Sequence, residues 1–310
     1  MPVTARAATV LLLGCLAAPA LAGSPTCTIS MTTLAFGTNV DVLTGAAVDT
    51  TATISVTCSG GGGAGQRLCI SIGAGSAGDT TSRQFSGGAL RFDMFSNSGR
   101  TTRWGSWQTG YATAGVQVDV AQDSTTPITV YGRLLGSQQT VAAGAYSSTF
   151  TANPFLQYDD KSGAPACPTG ARSTSTSTSA TATVVPKCNV SATTLSFGSF
   201  SFLTSNKDAT GTVQVQCNSG LPYTVALGGG NAGATDPTLR KMAQGAAQIT
   251  YGLYRDASRT LAWGSTTGTN TAGGTGTGAQ QSLTVYGRVP TQTTPAAATY
   301  ADSVVVTVSY

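Results

Sequence analysis

The chain has 310 residues, 9% of them charged, and its 16 basic and 12 acidic residues give a net charge of +4. Because it has no histidine, Ser-His-Asp hydrolases are excluded and the side chain that most often serves as general base or zinc ligand is missing. Small polar residues and 39 glycines stand where helices would place Glu and Lys, which favours an all-β fold, and the small positive charge without a basic cluster argues against nucleic acid as a partner.

Residues 1–22 have the pattern of a secretory signal peptide. Arg6 precedes a short apolar stretch, and residues 20–22 (Ala-Leu-Ala) form a small-x-small cleavage site. The alternative is a bacterial lipoprotein signal, in which Cys15 would be acylated. Both interpretations predict export from the cytoplasm.

The rest of the chain contains two copies of one pattern. Three blocks of similar sequence occur in the same order in both copies: 32–37 with 193–198, 90–106 with 249–265, and 129–133 with 284–288. Within each copy, segments such as 54–58 and 213–217 alternate apolar and polar residues, and Gly, Asn and Asp clusters separate such segments about every ten residues. This spacing predicts two β-sandwich domains, over residues 23–170 and 187–310.

A Ser/Thr-rich tract lies between the two copies, in residues 171–186. It has two interpretations. It is either a solvated linker or, because its small and β-branched residues alternate strictly, the last strand of the first domain supplied in cis. We favour the strand.

Residues 73–78 match the GxGxxG pattern of dinucleotide-binding loops. No helical segment follows them, and residues 228–233 place the same kind of glycine-rich segment at the same point of the second copy. The pattern therefore indicates a repeated structural loop, and we expect neither a cofactor nor a metal.

Several motifs of the second copy form a recognisable set: Cys-x8-Phe-Gly from Cys188, residues 249–256, Trp263-Gly264, residues 285–288 and the closing alternation of residues 300–308. On these residues the chain resembles the spore coat U domain family, whose domains build the subunits of archaic chaperone-usher pili in Gram-negative bacteria. The first copy departs from the pattern, since Phe92 and Phe95 replace two tyrosines and Asn97 replaces the aspartate.

The resemblance implies two tandem immunoglobulin-like (pilin-type) β-sandwiches, the second lacking its last strand. The open groove of such a domain is filled first by a periplasmic chaperone and then, at the outer-membrane usher, by a strand from the adjacent pilus subunit. After cleavage near Ala22, only residues 23–26 precede Cys27, and four residues cannot span a groove at about 3.3 Å per residue. We therefore expect a subunit that receives a strand without donating one: a tip adhesin exported through the periplasm to the cell surface.

The expected role is attachment to a surface or receptor, and biofilm formation, through apolar loops of the first domain. The candidates are large side chains without counterparts in the second copy: Trp107, Tyr111, Phe155, Leu156 and Tyr158. We place them in loops at residues 107–111 and 154–158, with residues 60–65 as a third loop. A structural shaft or coat protein of the same fold is the alternative, and a secreted enzyme is a remote one.

Six cysteines remain besides Cys15, and an even number in an exported chain favours disulfides. A zinc site lacks both histidine and CxxC spacing. Cys27 and Cys58 occupy the same places in the first copy as Cys188 and Cys217 in the second, so each pair is predicted to bond within its domain. Cys69 and Cys167 then remain for each other.

Overall fold

The computed structural model describes residues 1–2, 23–61, 63–87, 90–111 and 114–310. Within these ranges all regular structure is β, which confirms the all-β prediction, and no helix there could cross a membrane. The predicted signal peptide, with Cys15, lies outside the described residues except for its first two positions.

The described residues of the first domain form twelve strands: β1 (Thr26–Met31), β2 (Leu34–Ala35), β3 (Val48–Ser59), β4 (Gln66–Ser71), β5 (Arg83–Gln84), β6 (Arg91–Phe95), β7 (Val116–Val120), β8 (Ser124–Leu134), β9 (Gly144–Phe150), β10 (Phe155–Asp160), β11 (Arg172–Ser175) and β12 (Thr178–Val184). They form three sheets, in the orders β1-β3-β8-β6-β5, β11-β10-β4-β7 and β2-β12-β9. The sheets pack around one core because alternate residues of each strand point inward, as Ile54, Val56 and Cys58 do in β3.

The second domain has eight strands: β13 (Cys188–Ala192), β14 (Lys207–Cys217), β15 (Pro222–Leu227), β16 (Arg240–Gln244), β17 (Ala247–Tyr254), β18 (Ala272–Thr275), β19 (Gln281–Val289) and β20 (Val306–Ser309). Their sheets run β13-β14-β19-β17-β16 and β18-β15-β20. The sequence repeat is therefore a structural repeat.

The buried tryptophans show how closely the two domains correspond. The indole Nε1 of Trp104 donates to the carbonyl of Ile70 at 3.1 Å, and that of Trp263 donates to the carbonyl of Val225 at 3.0 Å. A tyrosine hydroxyl in each domain also donates to the carbonyl four residues earlier, Tyr146 at 2.8 Å and Tyr300 at 2.7 Å. These shared bonds fix which residues of the two domains are counterparts.

The three disulfides are those predicted from the sequence. Cys27–Cys58 joins β1 to β3, and Cys188–Cys217 joins β13 to β14 in the same register. Cys69–Cys167 joins β4 to the segment that follows β10 and is present only in the first domain.

The Ser/Thr tract forms two strands of the first domain. β11 pairs with β10, while β12 pairs antiparallel with β9 over seven residue pairs and parallel with β2. Only residues 185–187 separate β12 from β13. Beside this connector, Lys187 forms an ion pair with Asp41, and Ala142 forms a parallel β-bridge with Ser219, so the two domains are in direct contact.

Candidate functional site

Three of the five residues predicted to bind a surface belong to the core instead. Leu156 and Tyr158 lie on the inner face of β10, and Tyr111 is buried with its hydroxyl donating to Asp93 at 3.2 Å. Burial raises the pKa of Tyr111 to about 12. The prediction of a loop at residues 154–158 is wrong, because residues 155–160 form strand β10, the counterpart of β20, and its alternation turns two of the large side chains inward.

The other two candidates are half-buried. The backbone N–H of Trp107 donates to Ser71 Oγ at 3.2 Å, and Phe155 pairs with Ser71 and Ser175 inside its sheet. Across the described part of residues 23–186, no large apolar side chain is exposed. The apolar loop surface expected of the first domain is therefore not present there.

The large exposed apolar side chains instead belong to the second domain. Apart from Met1, those of the described residues are Val190, Phe200, Phe202, Leu239, Leu261, Val305 and Tyr310. Phe202 is 67% exposed and Val305 is 70% exposed. They are spread over several segments of the domain, and single exposed apolar side chains are common on protein surfaces.

Strand β12 is a further difference between the domains. In the first domain it lies between β2 and β9, and it bonds to the segment after β2: the N–H of Phe36 donates to the carbonyl of Thr181, and that of Val40 donates to the carbonyl of Thr183, both at 2.9 Å. Its inward residues Ala180, Ala182 and Val184 are buried. β12 thus completes the core of the first domain.

The second domain has no strand in the position of β12. Five apolar residues that would lie beneath it are only half-buried: Leu195, Phe197, Met242, Ile249 and Val304. We call this set the groove. Its counterparts in the first domain are all buried: Leu34, Phe36, Phe85, Leu90 and Phe150.

The two segments that border the groove are also not paired with a strand across it. Residues 193–198 and 298–304, which correspond to β2 and β9, belong to no strand in a domain whose residues 187–310 are all described. Segment 298–304 nevertheless keeps the position of β9, because Ala243 N–H donates to the Ala301 carbonyl at 2.9 Å just as Ser86 N–H donates to the Ser147 carbonyl at 2.8 Å. The groove therefore offers two free strand edges over an apolar floor.

One carboxylate, Asp302, lies within the segment that borders the groove. Asp302 Oδ2 accepts a hydrogen bond from the Tyr251 hydroxyl at 2.6 Å, and Oδ1 accepts from the N–H of Asn231 at 2.7 Å. Burial, together with this hydrogen bond, raises the pKa of Tyr251. Burial lowers the pKa of the Arg240 guanidinium, which the nearby charge of Asp302 partly offsets.

The arrangement has the chemistry of a binding surface. Among the described residues, no group of three or more Cys, Asp or Glu side chains could hold a metal. The buried Arg240 donates its hydrogen bonds to backbone carbonyls, including those of Leu227 at 3.0 Å and Trp263 at 2.9 Å. The groove presents apolar side chains between two backbone segments whose N–H and C=O groups can bond to an added strand.

The sequence predicted that the second domain lacks its last strand, but it did not identify the residues of the groove. A signal for them was present, because Leu195 and Phe197 repeat Leu34 and Phe36, while residues 187–310 contain no tract like the Ser/Thr tract that covers the first pair.

The family model described as Spore Coat Protein U domain matches two regions of the chain, residues 14–153 and 174–307. The chain belongs to the Spore Coat Protein U domain family. Each match covers most of one domain, but the first ends before β10 and the second begins within β11 and so also includes β12. Membership places the chain among non-enzymatic proteins.

One curated relative is Protein U of Myxococcus xanthus. It is 34% identical over 129 residues, which cover 38% of this Spore Coat Protein U domain chain and 72% of Protein U. The aligned length is about that of one copy of the repeat.

A solved structure shares the fold of most of the chain. It is the CsuC-CsuE chaperone-tip adhesion subunit pre-assembly complex from archaic chaperone-usher Csu pili of Acinetobacter baumannii, which matches with a TM-score of 0.54 and 18% identity over 91% of this chain and 100% of the matched chain. The CupB6 tip adhesin from Pseudomonas aeruginosa matches more loosely, with a TM-score of 0.36 and 11% identity over 92% of this chain and 94% of its own.

Proposed function

We propose that this protein is an exported subunit of an archaic chaperone-usher pilus and stands at the tip of the fibre. The observation that carries the proposal is the contrast between two copies of one domain: β12 closes the first from within, and the groove leaves the second open. The family and the fold shared with a tip adhesion subunit support it. The first domain attaches, and the second joins the fibre.

The groove is the site of assembly. Its floor and its two free edges fit an extended strand from another chain, which would add backbone hydrogen bonds and cover the apolar side chains. In a chaperone-usher system that strand comes first from a periplasmic chaperone and then, at the outer-membrane usher, from the adjacent subunit. The uncovered apolar floor, with half-buried residues such as Phe197, would otherwise favour aggregation.

Attachment belongs to the end of the first domain that is remote from the second. Val184, at the connector, pairs with Gly144 at the start of β9. From there β9 and β10 run through the first domain to Asp160, at the end away from the second domain. There residues 60–65, 121–123 and 161–171, which we call the distal loops, come together: the N–H of Gly60 donates to Asp123 Oδ1 and the N–H of Lys161 donates to the Gly65 carbonyl, both at 2.9 Å. Residue 62 lies outside the described residues.

The distal loops suit contact with a surface. They expose small apolar residues, among them Ala64, Pro165 and Ala166, and the Cys69–Cys167 disulfide fixes the longest of them to β4. A loop held in place loses little conformational entropy on binding. We therefore assign attachment to these small apolar residues instead of the aromatic residues predicted from the sequence.

Export is part of the proposal. The signal pattern of residues 1–22 and the three disulfides both fit an oxidising compartment outside the cytoplasm. Passage through the periplasm would bring the chain to the chaperone before the groove can aggregate.

Two variants of the full chain test the two ends of the molecule separately. Leu195→Asp places a charge on the groove floor, so the protein should be missing from isolated pili. Pro165→Asp combined with Ala166→Asp alters a distal loop, so the protein should still be found at the fibre end by immunogold labelling while cells lose attachment and biofilm. Pili that incorporate the Leu195→Asp chain, or normal attachment by the loop variant, would contradict the proposal.

A structural shaft or coat protein is the second candidate, and the description of the family as Spore Coat Protein U domain favours it. The same labelling experiment separates the two functions. Gold along the whole fibre or over the cell coat, in place of fibre ends, would support the structural role.

A further inference from the structure

Asp302 places a carboxylate where an inserted strand would cover it. Its Oδ1 accepts two backbone hydrogen bonds, from Asn231 at 2.7 Å and Ser303 at 2.8 Å, and its Oδ2 accepts one, from the Tyr251 hydroxyl at 2.6 Å. A carboxylate offers about four acceptor positions, so one position on Oδ2 remains for a further donor. Asp302 is half-buried, and water can reach it while the groove is open.

The first domain shows which strand residue would face it. Asp302 corresponds to Ser148, since each follows the counterpart tyrosines Tyr300 and Tyr146 by two residues. A side-chain carbon placed on Gly75 would contact Ser148, and one placed on the matching Gly230 would contact Asp302. Ser148 pairs with Ala180 of β12 and is completely buried.

Burial costs less free energy for the Ser148 hydroxyl than for the Asp302 carboxylate. The Ser148 hydroxyl has no hydrogen-bond partner among the described residues, and a neutral hydroxyl bears this at modest cost. A carboxylate covered by an apolar side chain would lose its water without replacement, which costs more because it is charged. The buried Arg240 lies close enough to interact with the charge of Asp302, but it donates to carbonyls and forms no ion pair with it in the described structure.

We infer that the groove selects a strand whose residue facing Asp302 carries a neutral hydrogen-bond donor, namely Ser, Thr or Asn. Apolar residues would flank it two positions away on each side, facing Val304 and Tyr300 as Thr178 and Ala182 face Phe150 and Tyr146 in the first domain. This inference rests on the proposed function of the groove. It specifies the type of side chain that the partner strand carries at the position facing Asp302.

The test uses two peptides with the sequence of residues 176–185, both carrying Ala182→Val to increase apolar contact. One carries Ala180→Thr and the other Ala180→Val, so the two differ by a hydroxyl in place of a methyl group at the position facing Asp302. Fluorescence anisotropy would measure their binding to the full chain. We expect the threonine peptide to bind at least about fivefold more tightly, the equivalent of one side-chain hydrogen bond.

Variants of the full chain locate the effect. Asp302→Ser reproduces the first domain and should abolish or reverse the preference, whereas Asp159→Ser, which removes a carboxylate from the first domain, should leave it unchanged. Leu195→Asp should remove binding of both peptides.

The outcomes separate this inference from the proposed function. Equal binding, or tighter binding of the valine peptide to the unaltered chain, would overturn the inference while the groove still stands as a strand acceptor. If neither peptide binds the unaltered chain, or if Leu195→Asp leaves binding intact, the proposed groove function fails and this inference fails with it.

Discussion

The two domains differ by one strand, and that strand decides which residues are core. Leu34 is fully buried and Phe36 is 6% exposed, while their counterparts Leu195 and Phe197 are half-buried in an otherwise similar sandwich. The difference shows that the burial of a residue in this fold depends less on its own segment than on whether a seven-residue strand lies beside it.

The domains also differ in the size of the residues under that strand. Phe85 and Phe150 of the first domain correspond to Met242 and Val304 in the groove. The first domain fills the space with its own aromatic rings and closes it with small residues, Ala180 and Ala182. The second has smaller side chains on the floor, which leaves more volume for an incoming strand to fill.

The largest expected effect comes from truncating the same phenylalanine in each domain. Phe36→Ala should lower the free energy of unfolding of the first domain by about 3–5 kcal/mol, because it empties a closed core. Phe197→Ala should cost clearly less, because Phe197 already contacts solvent. Urea unfolding of the full chain checks this, and equal losses would show that the groove is closed in solution.

Removing the Cys69–Cys167 disulfide should have the next largest effect. Replacing both cysteines by alanine should destabilise the first domain by about 2–4 kcal/mol. The bond spans 98 residues against 29 for Cys188–Cys217, and the longer loop adds about 1 kcal/mol through the entropy of the unfolded chain. Unfolding midpoints of the two double variants would test this order, and a greater loss from the shorter bond would contradict it.

The smallest effect concerns ion pairs that the two domains share. Hydrogen bonding to Arg133 lowers the pKa of Asp49, and hydrogen bonding to Arg288 lowers that of Asp208. Because each pKa is lower in the folded state, the stabilisation is present at neutral pH and is lost as the pH falls below about 4. Both side chains are more than a third exposed, so we expect at most about 1 kcal/mol from each.

Asn variants measure these pairs. Asp49→Asn and Asp208→Asn should each lower stability at pH 7 by a similar amount and have a smaller effect as the pH falls through the lowered pKa of the folded state. A much larger effect in one domain would show that the two ion pairs contribute unequally to stability despite their similar geometry.

Much of the fold followed from the sequence because its signals are local. Period-two alternation marked β3 and β14, matching positions of Cys27 and Cys188 marked the shared disulfides, and the repeat marked two domains. These features depend on residues close together in the chain or on the comparison of the two copies.

The candidate site was harder to predict because burial depends on distant strands. Leu156 lies where Val308 lies in β20, but the two segments share no sequence pattern, so the sequence predicts a loop with exposed aromatic residues there. The distal loops are small and glycine-rich and give no sequence pattern of their own. Asp302 belongs to a motif of the family. Its position beside the place that β12 occupies in the first domain follows only from the pairing of β9 with β12.

The short connector between the domains has a mechanical consequence. A pull on the second domain is transmitted through residues 185–187 directly into β12, whose bonds to β9 and to the segment after β2 lie across the direction of pull. Those bonds are loaded in shear and share the force, so they would have to break together instead of peeling apart one by one. On the other side the force enters at Cys188, which is covalently joined to β14. Tension between the ends of the molecule is thus carried by the strand that completes the first domain and by the disulfide that begins the second.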